Sequence, residues 1–203
     1  MKIPIKHNFV LIFLLIGHFA KAQQSKMPQH ATDIAPLLIG EVAPDMSLVS
    51  INGEAVKLNG LLAVKPTVLI FYRGGWCPYC NLHLAELQSI EKDILAVGYQ
   101  IIAISPDSPD NLKSSLAKHQ LAYTLLSDAS MTSSQAFGVA YIVPEASAER
   151  LKNSSGGRNP GMLPVPSVFV LNRQGEILFE YINPDYKKRL KGDLLLAILK
   201  ELK

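Results

Sequence analysis

Phe71-Tyr72-Arg73-Gly74-Gly75-Trp76-Cys77-Pro78-Tyr79-Cys80 holds the only two cysteines of the chain, three positions apart. It begins in Thr67-Val68-Leu69-Ile70-Phe71-Tyr72, a run almost wholly apolar or aromatic, as a strand covered on both faces requires. Beyond it Leu84, Leu87, Ile90, Ile94 and Val97 recur at spacings of three and four, with Glu86, Gln88, Lys92 and Asp93 between them. That period predicts one helix from about Pro78 to a stop at Gly98. Two thiols where a strand turns into a helix point to redox chemistry. A purely structural staple is the weaker reading, because a bridge closing so short a loop constrains the unfolded chain little.

Upstream, Ser47–Ile51 and Ala55–Leu58 flank Asn52-Gly53, a hairpin signal. Tyr99–Ser105 reads as a buried strand, followed by a helix capped by Asp110 and running to about Gln120. Tyr123–Ser127 reads as a strand, and Thr132–Phe137 as a short helix ended by Gly138. Alternation of strands and helices predicts an α/β fold with helices on both faces of the sheet. Periodicity is lost from Tyr141 to Met162, where Gly156-Gly157 and Asn159-Pro160-Gly161 mark loops around one helical turn at Ala146–Leu151. A lid over the cysteines and a solvated insertion are both open for this segment. Ser167–Leu171 and Glu176–Ile182 form a second hairpin, and Asp193 caps a closing amphipathic helix, Leu194 to Leu202.

Lys2 and Lys6, the apolar segment Phe9–Ile16 and the small-x-small Ala20-Lys21-Ala22 predict a signal peptide over residues 1–22. The apolar stretch is well short of the ~20 residues of a spanning helix. A polar arm follows over 23–39, and one domain covers 40–203. Export to the periplasm or the extracellular space is expected, with no membrane span after cleavage. Removing 1–22 takes three lysines and no acid from a chain of formal charge +3, leaving zero. No basic cluster then suggests nucleic acid as a partner.

Trp76-Cys77-Pro78-Tyr79-Cys80 before a helix, together with Val165-Pro166 before a late strand, resembles the thioredoxin superfamily. Gly40-Glu41-Val42-Ala43-Pro44-Asp45, Ser105-Pro106-Asp107 and Leu125-Leu126-Ser127-Asp128 leading to Phe137-Gly138-Val139 narrow the resemblance to its alkyl hydroperoxide reductase/thiol-specific antioxidant branch, the peroxiredoxin-like proteins. This implies a thioredoxin-like three-layer α/β/α sandwich with a mixed central sheet over about 38–203. The branch carries a Pro-x-x-x-Thr/Ser-x-x-Cys loop for peroxide, but Ile70 and Gly74 occupy those positions here. Its catalytic arginine precedes the late strand, where this chain has Pro166. The buried aspartate of thioredoxin is replaced by Phe71.

An unperturbed cysteine, pKa about 8.5, is only a few per cent thiolate at neutral pH. Cys77 at a helix N-terminus beside Arg73 is expected to fall to about 6, with Cys80 one turn on as the resolving thiol. Pro78 suits the first helical position. The resemblance implies that Pro166, or Pro164, is cis and turns the Val165 backbone toward Cys77 to pair with a substrate chain. Trp76 is either part of a docking face or core, and Tyr79 points to solvent. His83 three residues after Cys80 suggests a metal site, but one helix cannot wrap its own ligands tetrahedrally, so no metal or cofactor is expected. Glu86 and Asp128 read as solvated or capping residues.

These features favour an exported thiol–disulfide oxidoreductase acting on a protein or small-molecule disulfide, with a thiol reductant protein as partner. A thiol-dependent peroxidase is the first alternative. A non-catalytic copper- or partner-binding module is the second.

Overall fold

The structure, a computed structural model, describes residues 27–202. The expected signal peptide lies outside them. Seven strands make a mixed sheet in the order β2-β1-β5-β4-β3-β8-β9. In chain order they are β1 (Ser47–Ser50), β2 (Ala55–Lys57), β3 (Thr67–Phe71), β4 (Gln100–Ser105) and β5 (Thr124–Ser127), then, after two short strands described below, β8 (Ser167–Leu171) and β9 (Ile177–Ile182). β3 pairs parallel with β4 and antiparallel with β8, so the strand that leads into the cysteines is central.

Alternate residues of β3 serve opposite faces, as the pleat dictates. Val68, Ile70 and Tyr72 pack on one side with Cys77, Cys80, Leu84, Leu87, Ile94, Leu195 and Leu199. Leu69 and Phe71 pack on the other with Leu58, Leu62, Phe137 and Phe169. Rings of Phe71, Phe137 and Phe169 stand 4.9–6.1 Å apart in tilted or edge-on contact, which adds specific geometry to that burial. The three-layer sandwich is the expected one.

Local departures have local causes. α1 (Leu58–Val64) was not predicted, since Gly60 weakens its signal, yet Leu58 and Leu62 one turn apart bury it. The single helix expected after the cysteines is two, α2 (Pro78–Ser89) and α3 (Glu91–Ala96), broken at Ile90. Ser89 donates its hydroxyl to the Glu86 carbonyl at 2.6 Å, competing with the helical ladder at the break. Ser108, not Asp110, caps α4 (Pro109–His119), accepting from the Asn111 N–H at 3.4 Å. Asp128 accepts from the N–H groups of Ser133 and Ser134 at 2.9 and 2.8 Å and so caps α5 (Thr132–Ala136).

The aperiodic segment is ordered. β6 (Ala140–Ile142) and β7 (Met162–Pro164) pair antiparallel, and a 3-10 turn (Glu145–Ser147) leads into α6 (Ala148–Ser154). The Ser154 carbonyl accepts from the Ser108 N–H at 2.8 Å and from Asn111 Nδ2 at 2.7 Å, fastening α6 to the start of α4. α7 (Gly192–Glu201) closes the fold, with Glu86 Oε1 accepting its first N–H at 2.8 Å.

Candidate active site

β3 ends at Phe71, and the chain turns through Gly74, whose φ of 136° favours glycine. A Cβ there would stand 2.5 Å from Trp76 Nε1 and 2.8 Å from Asp107 Oδ1. Conformation and space together exclude the threonine or serine that the resemblance led one to look for. Cys77 is the N-cap of α2 with Pro78 in the first turn, and its carbonyl accepts from the N–H groups of Cys80 and Asn81, both at 3.1 Å. Both cysteines are free thiols and each is 1% exposed.

The Cys77 thiol is brought down from an ordinary 9.0 to about 6. The largest cause is the hydrogen bond from the Cys80 thiol, followed among the lowering effects by the Cys80 backbone N–H and the charges of Arg73 and Arg189, all opposed by burial. Cys80 is pushed the other way by that same hydrogen bond and by burial. One proton is therefore held on Cys80 and one anion on Cys77, the asymmetry a nucleophile and its resolving partner need.

Arg189, 109 residues away in sequence, reaches Cys80 Sγ with Nη2 at 3.5 Å while Nη1 donates to the Lys188 carbonyl at 2.8 Å. Arg73 lies over the Tyr186 ring at 4.1 Å and 5.2 Å from the Trp76 ring. Arg150 of α6 lies 5.3 Å from the same Trp76 ring. Trp76 is thus half-buried with two guanidinium groups near its ring. Tyr79 is 36% exposed and meets Tyr186 edge-on.

A buried acid lies beneath the motif after all, supplied from the end of β4. Asp107, 1% exposed, accepts from the Gly75 N–H at 2.7 Å and the Ser105 hydroxyl at 3.2 Å through Oδ2, while Oδ1 has no partner. Burial raises its carboxyl to about 6 against those two hydrogen bonds. Tyr72, buried beside it, is raised by burial and further by the Asp107 charge.

The expectation for Val165 and Pro166 is corrected. No peptide bond among the described residues is cis, so Pro164 and Pro166 both follow trans bonds. The Val165 N–H donates to the Val139 carbonyl at 2.8 Å and its carbonyl accepts from the Ser167 hydroxyl at 2.8 Å. The β6–β7 ribbon has taken the edge that a substrate chain would need. His83 is buried, and burial lowers its imidazole to about 4. Among the described residues no cluster of three or more His, Cys, Asp or Glu side chains could hold a metal ion.

Sequence reasoning missed Arg189, Asp107 and Tyr186. The run Lys187-Lys188-Arg189-Leu190-Lys191 was the available signal for the first, and it also corrects the statement that no basic cluster remains.

A thioredoxin-fold scaffold carrying paired thiols at a helix N-terminus defines an oxidoreductase of the thiol-dependent class. The sequence matches the AhpC/TSA family over residues 39–179, and the chain belongs to that family. It is 28% identical over 166 residues to Peroxiredoxin Bcp of Escherichia coli K12, covering 82% of this chain and 97% of that protein. It is 29% identical over 143 residues to Peroxiredoxin Bcp of Bacillus subtilis, covering 70% and 83%. In fold it resembles peroxidoxin BcpB from Mycobacterium tuberculosis (TM-score 0.64, 22% identity, 81% of this chain and 97% of the other). It also resembles reduced Prx3 in complex with hydrogen peroxide from Vibrio vulnificus (TM-score 0.69, 16% identity, 80% and 99%).

Proposed function

We propose that the chain passes two electrons from the Cys77/Cys80 dithiol to a disulfide. The observation that supports this most is the pair of free, buried thiols at the start of α2, one lowered to about 6 and the other raised. Cys77 thiolate attacks one sulfur of the substrate disulfide, forming a mixed disulfide and releasing the other half as a thiolate, which takes a proton from solvent. Cys77 is then no longer an anion, so the hydrogen bond that held the proton on Cys80 is gone. Arg189, 3.5 Å from Cys80 Sγ, favours the thiolate that now forms there. That thiolate attacks Cys77, closes the Cys77–Cys80 bridge and expels the second substrate thiolate. A thiol reductant returns the bridge to the dithiol.

A second reading has its own support in the family to which the chain belongs. With a hydroperoxide, Cys77 thiolate takes the distal oxygen to give a sulfenic acid, the leaving alkoxide takes a proton from solvent to become an alcohol, and the Cys80 thiol then displaces water to close the same bridge. Against it stands the exclusion of a hydroxyl side chain at Gly74. The test is stopped-flow Trp76 fluorescence of the reduced protein with a small excess of hydrogen peroxide, set beside insulin-disulfide reduction. Slow response to peroxide and brisk insulin reduction are expected. Fast peroxide quenching without disulfide reduction overturns the first reading.

We also infer export from the sequence of residues 1–22. The mass of the mature protein from its native host checks it, and an intact N-terminus refutes it.

A further inference from the structure

A concave site of about 390 Å³ opens on the Arg189 side of the dithiol, lined by Tyr79, His83, Glu86, Lys187, Lys188 and Lys191 among others. Four cations line it against one acid, Glu86. Lys187, Lys188, Arg189 and Lys191 fall within five residues, and the only ion pair among the described residues is Lys57 with Asp45, elsewhere. The nearby acids are already engaged by backbone. Glu86 Oε1 accepts the Gly192 N–H at 2.8 Å, and Asp185 Oδ1 accepts the Lys187 N–H at 3.1 Å.

Two further features point to a ligand rather than a solvated basic turn. His83, 4% exposed, lines this site, and its Nε2 is a buried polar atom without a hydrogen-bond partner. Arg189, another lining residue, touches Cys80 Sγ at 3.5 Å, so an occupant of the groove lies one side chain from the sulfur that leaves when the bridge opens. The volume is within the lower range of small-molecule sites.

We propose that this groove binds the carboxylate of a small anionic thiol, and that such thiols reduce the oxidised Cys77–Cys80 centre. The inference rests on the dithiol reading above and names a substrate class for it. Lys187, Lys188 and Lys191 hold the carboxylate. The ligand thiolate attacks Cys77, the bridge breaks, and Cys80 leaves as a thiolate beside Arg189 and takes a proton. A second ligand thiolate attacks the ligand sulfur of the mixed disulfide, releasing the small disulfide and Cys77 thiolate. Two ligand thiols are oxidised and one protein disulfide is reduced.

The test compares N-acetylcysteine with its neutral amide, which differ only in the carboxylate, as reductants of the oxidised protein, with rates expressed per thiolate and read from Trp76 fluorescence. At low salt the acid is expected to be at least fivefold faster than the amide. The ratio should fall toward one in 0.5 M KCl and in a Lys187→Ala/Lys188→Ala/Lys191→Ala variant, as it does for screened charge attraction. A wild-type ratio near one, or a ratio the variant leaves untouched, overturns the proposal. Binding is read separately with S-methyl-N-acetylcysteine, which cannot react, through amide shifts of Tyr79, His83 and Arg189 in nuclear magnetic resonance spectra. Saturable shifts with no reduction by either thiol leave the site standing and reject the dithiol reading. No shifts and a ratio near one reject the site.

Discussion

The hydrogen bond from Cys80 is the largest single cause of the low Cys77 pKa, and removing it gives a test with an unusual signature. In Cys80→Ala the Arg73 and Arg189 charges and the backbone N–H of residue 80 remain, while the thiol donor is lost. If that donor supplies about half of the depression from 9.0 to about 6, the variant's Cys77 titrates near 7.5. The thiolate fraction at pH 7 then drops from about 90% to about 25%. Intrinsic nucleophilicity rises with thiol pKa with a Brønsted slope of ~0.45, so each remaining thiolate reacts about fivefold faster. The two effects nearly cancel at pH 7, and a single-pH comparison shows almost nothing. A full profile of iodoacetamide alkylation, followed by intact mass, separates them. The variant should be about fivefold slower at pH 5.5 and about fivefold faster on the alkaline plateau. Cys80→Ser keeps a hydroxyl donor and should hold the midpoint near that of wild type. An unmoved midpoint in Cys80→Ala, or equal movement in Cys80→Ser, refutes the assigned role of the Cys80 proton.

Asp107 titrates about two units higher folded than unfolded, 3.8 against about 6. A raised pKa contributes stability that is present below 3.8 and lost as pH rises through about 6. Asp107→Asn should therefore melt higher than wild type at pH 8, by up to about 3 kcal/mol, with the advantage gone near pH 4. His83, lowered from 6.5 to about 4, loses stability as pH falls across that window, but it does so in both proteins and cancels. An advantage that persists at pH 4 refutes the assignment. Gly75→Ala places its Cβ against Ser115 Oγ and should destabilise by about 1–3 kcal/mol in urea, with most of the loss recovered in Gly75→Ala/Ser115→Gly. No recovery in the double variant assigns the cost elsewhere. Phe137→Ala opens a cavity between Phe71 and Phe169 and should cost about 3–5 kcal/mol in the same assay; a loss below 1 kcal/mol shows that the cluster collapses around it.

The fold was legible where one residue pattern served one purpose. β3 could be read because every position is buried, and α2 could be placed because Pro78 and the spacing of Leu84 and Leu87 agree. The β6–β7 ribbon could not, and α6 only as the single turn read at Ala146–Leu151, because short strands held by three register pairs and a seven-residue helix carry too few periods to stand out. At the site the cysteines, Arg73 and Trp76 were visible because they are contiguous. Arg189 and Asp107 meet the motif only through the sheet and the β9–α7 turn. Absence of an acid at Phe71 was read correctly from the sequence, yet it did not mean that the site lacked one.

That substitution explains how an AhpC/TSA scaffold can carry a dithiol. Gly74 approaches Trp76 and Asp107 so closely that no side chain fits between them, and the same close approach lets the Gly75 N–H reach the Asp107 carboxyl at 2.7 Å. Asp107 thereby fixes the loop ahead of Cys77 from below. The glycine at this position lets the loop anchor the backbone that presents the thiol. Positive charge reaches both sulfurs here: Arg73 and Arg189 lower Cys77, and Arg189 also stands 3.5 Å from Cys80 Sγ. A cation aimed at the resolving sulfur does most for the step in which that sulfur becomes an anion.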